Sequence, residues 1–533
     1  MKTETLIKGT GVSPGIAIGK AFLWKSGMDT KKRETLTPKE EKIRYRSAVD
    51  SFCRECYGNA ENIRAVAGEA SANILLSHAA LANDSFAAES AESCIDRGLS
   101  AEDAATTVWE EWEKTLLSSG DSLTRARAAD AKDVLSGILG ALSGQEKKEI
   151  PQGCVVICEE FTPSLASKSG GAAGIIAEKG SVNSHGAILA RTMGLPLIFA
   201  DTDGIFDGDT VICNGGDGTV ILSPDDKTAN EYSVAIEREA AAKKNDAKYA
   251  GKPAITPSGK RVTVVCNAGS LTDIDEAIRD GCDGIGLFRT EFLFTERNNA
   301  PDEDEQYGIY KSAAEKTLGR ELIIRTLDIG GDKKVPYLNL EKEENPFLGE
   351  RGIRFCLREA ELFKTQIRAL LRAAVFGNIS IMLPMVTEIR EITETKAIIE
   401  SCRRELTEQG FAVPEKIPVG MMVETPAAVM CAVEFAAICD FFSIGTNDLI
   451  QYIMAADRGN GKVAGYYSPM KDAVKKAVEI TVTAAKNAGI KCHVCGEAAS
   501  DEAFLGFLTD IGIDEVSVNP KYVGKVKRMI CGE

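Results

Sequence analysis

In the second half of the chain, side chains suited to chemistry stand at the ends of short apolar segments. Arginine forks bind phosphate and carboxylate groups through paired hydrogen bonds. Glutamate and aspartate offer the hard oxygen ligands that Mg²⁺ takes together with substrate oxygens. A single such residue could merely cap a turn, but the whole set is typical of a site for a small, anionic, phosphorylated acid. The set consists of Arg289, Glu291, Arg325, Asp328, Glu424, Asn447, Asp448, Arg458, Cys495 and Glu497.

These side chains need a scaffold that brings strand ends together. From residue 253 onward, apolar strands alternate with helical segments. In a (β/α)8 barrel, the C-terminal ends of the strands meet at one face, which carries the chemistry. The sequence therefore predicts such a barrel over 253–533. Its eight strands are VTVVCNA (262–268), GIGLFRTE (284–291), LIIRTLDI (322–329), ISIMLPM (379–385), VGMMVET (419–425), FFSIGTN (441–447), KCHVCGE (491–497) and DEVSVNP (514–520).

A histidine precedes the barrel in a segment typical of a helix start. His185 lies in GSVNSHGAILARTMGLP (180–196), with turn residues before it and Gly-x-Pro after it. A phosphate on this imidazole would meet free backbone N–H groups and the positive end of the helix dipole. Alternatively, Asn183 or Ser184 is an N-cap and His185 an exposed first-turn residue. The local pattern alone favours neither interpretation.

The sequence around the other two histidines predicts structural roles for both. His78 lies on an apolar helical stripe and is interpreted as a core or interface histidine. His493 stands inside a strand next to Cys492, where a metal site would need more ligands than the sequence offers nearby. The fifteen cysteines are scattered, which suits buried thiols in a reducing compartment.

The N-terminal half predicts a second α/β domain that is interrupted by helices. Strand signals occur at 6–24 and return after Pro151, whereas the intervening residues are rich in Ala, Glu and Ser at helical spacing. A charged, Ala-rich helix at 226–250 has no broad apolar face and suits a connector. We therefore predict an α/β domain carrying His185 (1–28 with 146–225), a helical insertion (29–145), a linker helix (226–252) and the barrel (253–533).

Composition restricts the class of protein. The chain has 533 residues, of which 44% are apolar and 27% charged, as expected for a globular protein of several domains. Its net charge of −16 argues against nucleic acid and favours a basic partner. No apolar run approaches the ~18 residues of a membrane span, and the N-terminus lacks the apolar region of an export signal. These features predict a cytoplasmic location and no membrane insertion.

The helical insertion contains a strongly acidic stretch. Residues 55–113 carry twelve acidic side chains against Arg64 and Arg97, a local charge of −10. A solvated helix face explains this pattern, and so does a docking surface for a basic partner. From the charge alone, the solvated face is the simpler interpretation.

Nine motifs occur in an order and spacing that identify a family. Each motif is weak alone, but together they are highly specific. The sequence resembles the PEP–protein phosphotransferases, Enzyme I of the bacterial phosphoenolpyruvate (PEP)-dependent sugar phosphotransferase system, along nearly its whole length. The motifs are SPGIAIGKAF, SHGAILARTMGLP, GLFRTEFLF, RTLDIGGDK, EENPFLGERGIR, VETP, FSIGTNDLIQY, ADRGN and CGEAA.

The resemblance implies a two-step phosphoryl transfer. His185 would attack the phosphorus of PEP and become a phosphohistidine, while Cys495 would protonate the enolate carbon to release pyruvate. Glu424 and Asp448 would bind Mg²⁺. The phosphate and carboxylate of PEP would be held by Arg289, Arg325, Lys333, Arg351, Asn447 and Arg458.

The resemblance also implies partners. The helical insertion would bind the histidine phosphocarrier protein HPr, which makes the acidic stretch 55–113 a docking surface, and HPr would then accept the phosphoryl group as the first step of sugar uptake. His185 would have to swing between barrel and carrier about the helix at 226–250. The barrels would form a homodimer.

Three positions depart from the family pattern. Glu350 stands where an aromatic residue is usual, Asn183 replaces a common Thr, and Ala166 stands where some relatives carry a Thr. These departures concern the orientation of His185 and the packing of the barrel rim, and they leave the reaction class unchanged.

Two other functions fit part of the pattern. Pyruvate–phosphate dikinases and PEP synthases share the histidine and barrel modules, but they need a large nucleotide-binding domain before the histidine. Only about 180 residues precede His185, and none reads as a Gly-rich nucleotide site. A PEP-sensing regulatory protein would bind ligand without turnover and would not need the proton donor Cys495.

Overall fold

The computed structural model describes residues 4–24, 36–118, 128–143, 149–180, 184–295, 297, 299–330, 335–338, 340–341, 343–458 and 460–533. The chain forms two compact units, Met1–Ala240 and Ala241–Glu533. Within the described residues, no helix is both long and apolar enough to cross a membrane.

The first unit contains a mixed eight-stranded sheet. Four of its strands run parallel in the order β3-β4-β5-β6, and antiparallel strands extend the sheet on both sides to give β1-β8-β7-β3-β4-β5-β6-β2. Short helices α5 (Pro163–Ala166) and α6 (His185–Met193) follow β4 and β5. The strands are β1 (Thr5–Lys8), β2 (Thr10–Ser13), β3 (Ile16–Leu23), β4 (Val155–Glu160), β5 (Gly174–Lys179), β6 (Leu197–Phe199), β7 (Thr210–Asn214) and β8 (Thr219–Leu222).

Between β3 and β4 the chain forms a helical insertion. Its first helix is long and begins with a capping box, in which Thr37 and Glu40 satisfy each other's backbone N–H groups. The first part of this helix packs into the bundle core with Trp109 and Ile138. The insertion consists of α1 (Pro38–Ala82), α2 (Ser85–Asp96), α3 (Ala101–Leu117) and α4 (Ala128–Ser143).

The second part of α1 joins the insertion to the sheet. Ile63 and Leu75 of α1 are buried in one apolar cluster with Phe161, Leu165 and Ala187, which belong to the sheet side. The insertion therefore shares a core with the segments that carry α5 and α6.

Helix α7 (Asp226–Ala247) crosses the boundary between the two units. None of its described side chains is buried, in agreement with the absence of a broad apolar face in its sequence.

The second unit is a closed parallel barrel. Strand β10 pairs in parallel with both β17 and β11, which closes the ring of eight strands, and β9 (Ala254–Ile255) pairs antiparallel with β10. The fold class and the eight strands predicted from the sequence are confirmed. The barrel strands are β10 (Arg261–Ala268), β11 (Gly284–Phe288), β12 (Glu321–Arg325), β13 (Asn378–Leu383), β14 (Val419–Val423), β15 (Phe441–Gly445), β16 (Lys491–Cys495) and β17 (Glu515–Val518).

Helices surround this barrel and bury its outer face. They are α8 (Leu271–Arg279), α9 (Glu303–Lys316), α10 (Ile353–Arg358), α11 (Ala360–Ala373), α12 (Ile389–Glu408), α13 (Pro426–Met430), α14 (Ala432–Ala436), α15 (Thr446–Met454), α16 (Asp472–Ala488), α17 (Glu502–Asp510) and α18 (Val523–Ile530).

Two histidines lie where the sequence predicted them. His493 is buried in β16, and burial lowers its pKa to about 3. His78 of α1 is 1% exposed and lies between two carboxylates of α4: its Nε2 is 3.1 Å from Asp130 Oδ1 and its Nδ1 is 3.2 Å from Asp133 Oδ2. Burial alone would lower the pKa of His78, but the two carboxylates outweigh it and raise the pKa to about 9.

We expect this buried ion pair to make the helical insertion less stable in alkali. Its contribution is fully present below the unfolded pKa of about 6.5, and it is lost as pH rises through the folded pKa of about 9. The shift corresponds to at most about 3 kcal/mol. Cys56, which also faces Asp133, has its pKa raised by burial to about 12 and stays protonated in this range.

The measurement is urea unfolding between pH 6 and 10, followed by tryptophan fluorescence, because Trp109 and Trp112 report on the insertion. The wild-type midpoint should fall from pH 7 to pH 9.5, whereas that of the His78→Gln variant should change little. Parallel pH dependence in the two proteins would contradict this account.

Candidate functional site

A polar cavity of about 260 Å³ opens at the C-terminal ends of the barrel strands. Seven of the eight strands end two to four residues before the predicted limits, and β10 ends at the predicted residue. Most site residues therefore follow the strands and leave the ladder to face the cavity. Arg325 and Cys495 are themselves the last residues of β12 and β16. The lining residues are Leu287, Arg289, Arg325, Asp328, Arg351, Met422, Glu424, Gly445, Asn447, Asp448, Arg458, Cys495 and Gly496.

Arg325 is a buried cation held by two carboxylates. Its Nη2 donates to Glu291 Oε1, and its Nη1 is 3.2 Å from Asp328 Oδ2. Burial alone would lower the pKa of Arg325, but Glu291 and Asp328 raise it above the ordinary value. Within the described part of the chain, its buried Nε has no hydrogen-bond partner. A fixed guanidinium with a spare donor at a cavity wall is suited to binding an anion.

Arg351 joins two further carboxylates. It donates from Nε and Nη2 to Asp328, at 2.9 and 3.0 Å, and from Nη1 and Nη2 to Asp448, at 2.9 and 3.1 Å. Despite burial, these carboxylates raise the pKa of Arg351. Asp328 therefore contacts both buried arginines and fixes their separation.

Glu424 lies at the bottom of the cavity and is 1% exposed. Its Oε1 accepts a 2.7 Å hydrogen bond from the N–H of Met385, a residue in the left-handed region with φ of 58°. Gly445 allows the close approach of the other oxygen, since a Cβ there would lie 2.9 Å from Glu424 Oε2. Burial, and then the charges of Asp448 and Asp328, raise the pKa of Glu424 to about 8.

The donor set at this position suits a divalent cation. No cluster of three or more His, Cys, Asp or Glu ligands able to hold a metal by themselves occurs among the described residues. Glu424 and Asp448 nevertheless bring two carboxylates to one cavity, and Mg²⁺ is commonly bound by one or two carboxylates with water and substrate oxygens. Burial, and then the neighbouring carboxylates, raise the Glu424 pKa, and a cation bound beside it would favour the charged form.

The outer part of the cavity is more exposed. Arg289 and Arg458 are exposed and Asn447 is half-buried. The guanidinium of Arg458 lies 5.9 Å from the ring centre of Phe347. These side chains can reorient toward a ligand, in contrast to the fixed pair at Arg325 and Arg351.

The thiol of Cys495 is 2% exposed and faces the cavity. Ser443, on the neighbouring strand β15, donates a hydrogen bond from Oγ to Cys495 Sγ at 3.0 Å. Burial raises the pKa of Cys495 to about 11, although the Ser443 hydroxyl acts in the opposite direction. The group is therefore a protonated thiol at neutral pH, with a neighbour that can stabilise the thiolate.

His185 is the first residue of α6, which belongs to the first unit. Ser184 is the N-cap, and its hydroxyl accepts from Ala187 N–H at 3.2 Å. The next residue, Gly186, packs closely against the segment that precedes α5. A Cβ at Gly186 would lie 1.7 Å from the carbonyl oxygen of Phe161. The N-cap interpretation of Ser184 is thus confirmed, and it is compatible with either role of His185.

The structure brings nine of the predicted site residues to one cavity. They are Arg289, Arg325, Asp328, Arg351, Glu424, Asn447, Asp448, Arg458 and Cys495. Lys333 and Asn183 lie outside the described residues. Glu350 makes an ion pair with Arg358, and Ala166 is buried in α5.

Sequence reasoning missed the residues that hold the site in place. Glu291 and Asp328 were placed at the rim, but their pairing with the two buried arginines was not foreseen. Ser443 and the Met385 N–H were not singled out. The alternation of β15 offered a signal for Ser443, because it places this hydroxyl two residues before Gly445, on the same face of the strand.

The chain matches three family profiles. Residues 243–532 match the PEP-utilising enzyme, PEP-binding domain; residues 8–127 match the PEP-utilising enzyme, N-terminal domain; and residues 150–218 match the PEP-utilising enzyme, mobile domain.

Curated relatives match over nearly the full length. The phosphoenolpyruvate-protein phosphotransferase of Bacillus subtilis (strain 168) is 37% identical over 523 residues, which cover 96% of this chain and 92% of that protein. The phosphoenolpyruvate-protein phosphotransferase of Haloferax volcanii is 37% identical over 546 residues, or 99% and 94% of the two chains. A solution structure of Enzyme I (nEIt) is 32% identical, with a TM-score of 0.37, and covers 44% of this chain and 99% of its own.

We expect Cys495 to resist alkylation near neutral pH. With a pKa of about 11, roughly a thousandth of the thiol is ionised at pH 8, and the fraction rises about tenfold per pH unit. Iodoacetamide labelling followed by peptide mass spectrometry measures this, with the exposed Cys431 as internal control. The Ser443→Ala variant should label more slowly still. Equal labelling rates for Cys495 and Cys431 at pH 8 would contradict the environment described.

Proposed function

The chain belongs to the family of the phosphoenolpyruvate-protein phosphotransferases, and we propose that it transfers the phosphoryl group of PEP to His185 and from there to a phosphocarrier protein. The observation that carries this proposal is the barrel cavity, which combines arginine donors for an anion, carboxylates for a cation and a protonated thiol. This combination suits PEP, whose phosphate and carboxylate need cations and whose enolate needs a proton.

In the proposed complex, the arginines hold the two anionic groups of PEP. Arg325 offers its Nε, which has no hydrogen-bond partner among the described residues, and Arg289, Arg458 and Asn447 close around the ligand from the rim. Lys333 is a further proposed ligand of PEP, on the strength of the family motif alone. Arg351 contributes after it exchanges a carboxylate for the ligand. Fixed cations stabilise charge on a transferring phosphoryl group without reorganisation during the reaction.

Glu424 and Asp448 are the proposed ligands of Mg²⁺. The ion, when bound, supplies positive charge to the phosphate and to the developing enolate oxygen. Asp448, which contacts Arg351, would serve both that arginine and the cation, and Glu424, oriented by the Met385 N–H, would offer its carboxylate.

The transfer consists of one bond exchange and one proton transfer. The neutral imidazole of His185 forms a bond to phosphorus as the bond from phosphorus to the enolate oxygen breaks, which leaves the enolate of pyruvate in the cavity. The thiol of Cys495 gives its proton to the methylene carbon, so that pyruvate forms and the thiolate recovers a proton from water. The Ser443 hydroxyl stabilises the thiolate in between.

In the proposed cycle, His185 meets PEP in the barrel cavity and then the docked carrier, so the domain that carries it would swing between the two. His185 belongs to the first unit and the cavity to the second. Helix α7 connects them without a buried described side chain, so it is a suitable hinge region.

The acidic insertion is the proposed dock for the carrier, which we identify with HPr. The part of α1 that packs beside α6 carries the exposed Glu61. A basic carrier face would be attracted to such charges, which mainly accelerates encounter.

We further propose a homodimer through the barrels and a cytoplasmic location. Met430 and Val433, on α13 and α14, are 79% and 69% exposed, and an apolar patch of this kind suits a subunit contact. All fifteen cysteines lie in the described part of the chain and are free thiols, mostly buried, as expected in a reducing compartment.

Labelled PEP tests the proposed function directly. With Mg²⁺, the protein should acquire acid-labile, alkali-stable phosphate, which passes to HPr when HPr is added. The His185→Ala variant should take up no label, because it lacks the acceptor. The Glu424→Gln variant should require more Mg²⁺, because it loses a charged ligand.

Chelation of Mg²⁺ serves as a control, and tryptophan fluorescence should show that each variant is folded. Failure of the wild-type protein to label, or undiminished labelling of His185→Ala, would sink the proposal.

Charge reversal tests the proposed dock. Glu61→Lys should reduce kcat/KM for the carrier about threefold to tenfold at low salt, and the effect should shrink at high salt, where the charge is screened. Glu408→Lys, at an exposed position of the barrel helix α12, is the matched control outside the acidic insertion and should change the rate little. Phosphorylation by PEP should be unchanged in both. If the two substitutions lowered kcat/KM for the carrier equally, a general electrostatic effect would explain the result and the local dock would be contradicted.

A further inference from the structure

A polar side chain lies on the buried face of helix α11. This face packs into the barrel core through Phe363, Ile367 and Leu370, which recur at helical spacing. Gln366 stands among them, and it too is 0% exposed. A buried amide costs free energy unless its polar atoms find partners. The partners of Gln366 therefore show what the residue holds in place.

The amide of Gln366 joins the segments that follow strands β11 and β12. Its Oε1 accepts from the N–H of Leu327 at 3.0 Å, and its Nε2 donates to Thr290 Oγ1 at 3.3 Å. The Thr290 hydroxyl in turn donates to the carbonyl oxygen of Arg325 at 3.0 Å. Side-chain hydrogen bonds thus continue the pairing of the two strands past their ends at Phe288 and Arg325.

The hydrogen bonds of this network each have a fixed direction. The Leu327 N–H can only donate, so it determines which end of the Gln366 amide faces it. Nε2 of Gln366 also donates to Tyr310 Oη at 3.0 Å, and the Tyr310 hydroxyl donates to Gln306 Oε1 at 3.0 Å. Gln306 then donates to the carbonyl oxygen of Pro301 at 3.1 Å. Tyr310 and Gln306 are fully buried as well, and a buried network with set directions favours a single arrangement.

The two segments carry the charged residues of the cavity wall. Thr290 directly precedes Glu291, and Leu327 directly precedes Asp328. Arg325 pairs with Glu291 across the two segments and with Asp328 within its own. A change in the spacing of the segments would therefore change where Arg325 points its donors. An apolar side chain in place of the amide could fill the same space, but it would hold neither Leu327 nor Thr290.

We propose that Gln366 is a positioning residue for PEP, which sets the spacing of the two segments and thereby the direction of the arginine donors. Its amide reaches Arg325 through the backbone of Leu327. It reaches Arg289 through the hydroxyl of the next residue, Thr290. Fixed donors stabilise an anion without reorganisation, and small displacements at a transferring group reduce rates strongly. The inference rests on the proposed function in one respect, that PEP is the ligand of the barrel cavity.

The first test is single-turnover phosphorylation of the full-length chain by labelled PEP. Gln366→Met roughly preserves the volume of the side chain but removes its hydrogen bonds to Leu327 and Thr290. We expect the limiting rate to fall about tenfold to a hundredfold. The half-saturating PEP concentration should rise about threefold to tenfold, because the displaced arginines also bind PEP before the transfer.

A pair of variants at Thr290 tests the same contacts from the other side. Thr290→Val removes the hydroxyl at constant shape, so both the rate and the half-saturating concentration should change as in Gln366→Met. Thr290→Ser keeps the hydroxyl and should recover most of both values. This pair decides the question if Gln366→Met does not fold.

Binding is measured without chemistry in the His185→Ala background, where calorimetry with PEP and Mg²⁺ gives a dissociation constant. Addition of Gln366→Met should raise this constant about threefold to tenfold, in parallel with the half-saturating concentration.

Tyr310→Phe is the matched control for stability. It removes a buried hydroxyl between Gln366 Nε2 and Gln306 Oε1, but it leaves the contacts of Gln366 with Leu327 and Thr290 in place. Its midpoint of urea unfolding, followed by circular dichroism, should fall below that of the wild type, because Gln306 loses a buried partner. Its phosphorylation rate and half-saturating PEP concentration should stay close to the wild-type values.

The outcomes separate this inference from the proposed function. A wild-type chain that fails to label His185 overturns the proposed function, and the dissociation constants then still decide whether Gln366 positions the site. Unimpaired binding and labelling in Gln366→Met or Thr290→Val overturn the positioning role. That role is also overturned if Tyr310→Phe is as impaired as Gln366→Met, or Thr290→Ser as impaired as Thr290→Val, because weakened packing of the barrel would then explain the loss.

Discussion

The mouth of the barrel depends on the pairing of buried charges. Arg325 and Arg351 are held in a largely desolvated wall by Glu291, Asp328 and Asp448, and Asp328 contacts both guanidinium groups. Removing one partner from such a set leaves a buried charge without compensation, which is far more costly than the pair is stabilising. The carboxylates therefore do more than balance charge, because they determine where the arginine donors point before any substrate arrives.

This arrangement explains why the cavity can be polar and still well defined. Arg351 is fully engaged with two carboxylates. In contrast, Arg325 Nε has no partner in the described part of the chain, and Arg289 and Arg458 are exposed. An anionic ligand that enters with a cation can exchange partners with Arg351 and Asp448 at little cost, because each new contact replaces one of similar charge. The crowded carboxylate of Glu424, with a pKa raised to about 8, shows which position gains most from added positive charge.

The sequence predicted the scaffold better than the contacts within it. Eight apolar segments with polar ends are a repeated, local signal, so the barrel and eight of its cavity residues could be located without coordinates. Arg351, the ninth, follows no strand end and was indicated only by the family resemblance. Pairings between distant residues carry no local signal: His78 meets Asp130 from 52 positions away, and Arg351 meets Asp448 from 97. The sequence also placed the C-terminal ends of most strands too far along the chain, because Arg289 and Asp328 leave the ladder to enter the cavity. Alternation on β15 could have indicated Ser443, whereas the Met385 N–H depends on a backbone conformation that the sequence does not reveal.

The barrel and the first unit have different parts to hold in place. The barrel must hold many charges still around a ligand, and it does so with short, buried ion pairs between neighbouring strand ends. The first unit must position the first turn of α6, and α6 is a short helix of nine residues that offers few contacts of its own. Its first turn is therefore bounded from outside, by the Phe161 carbonyl that lies against Gly186 and by the apolar residues of α1 that share a core with it.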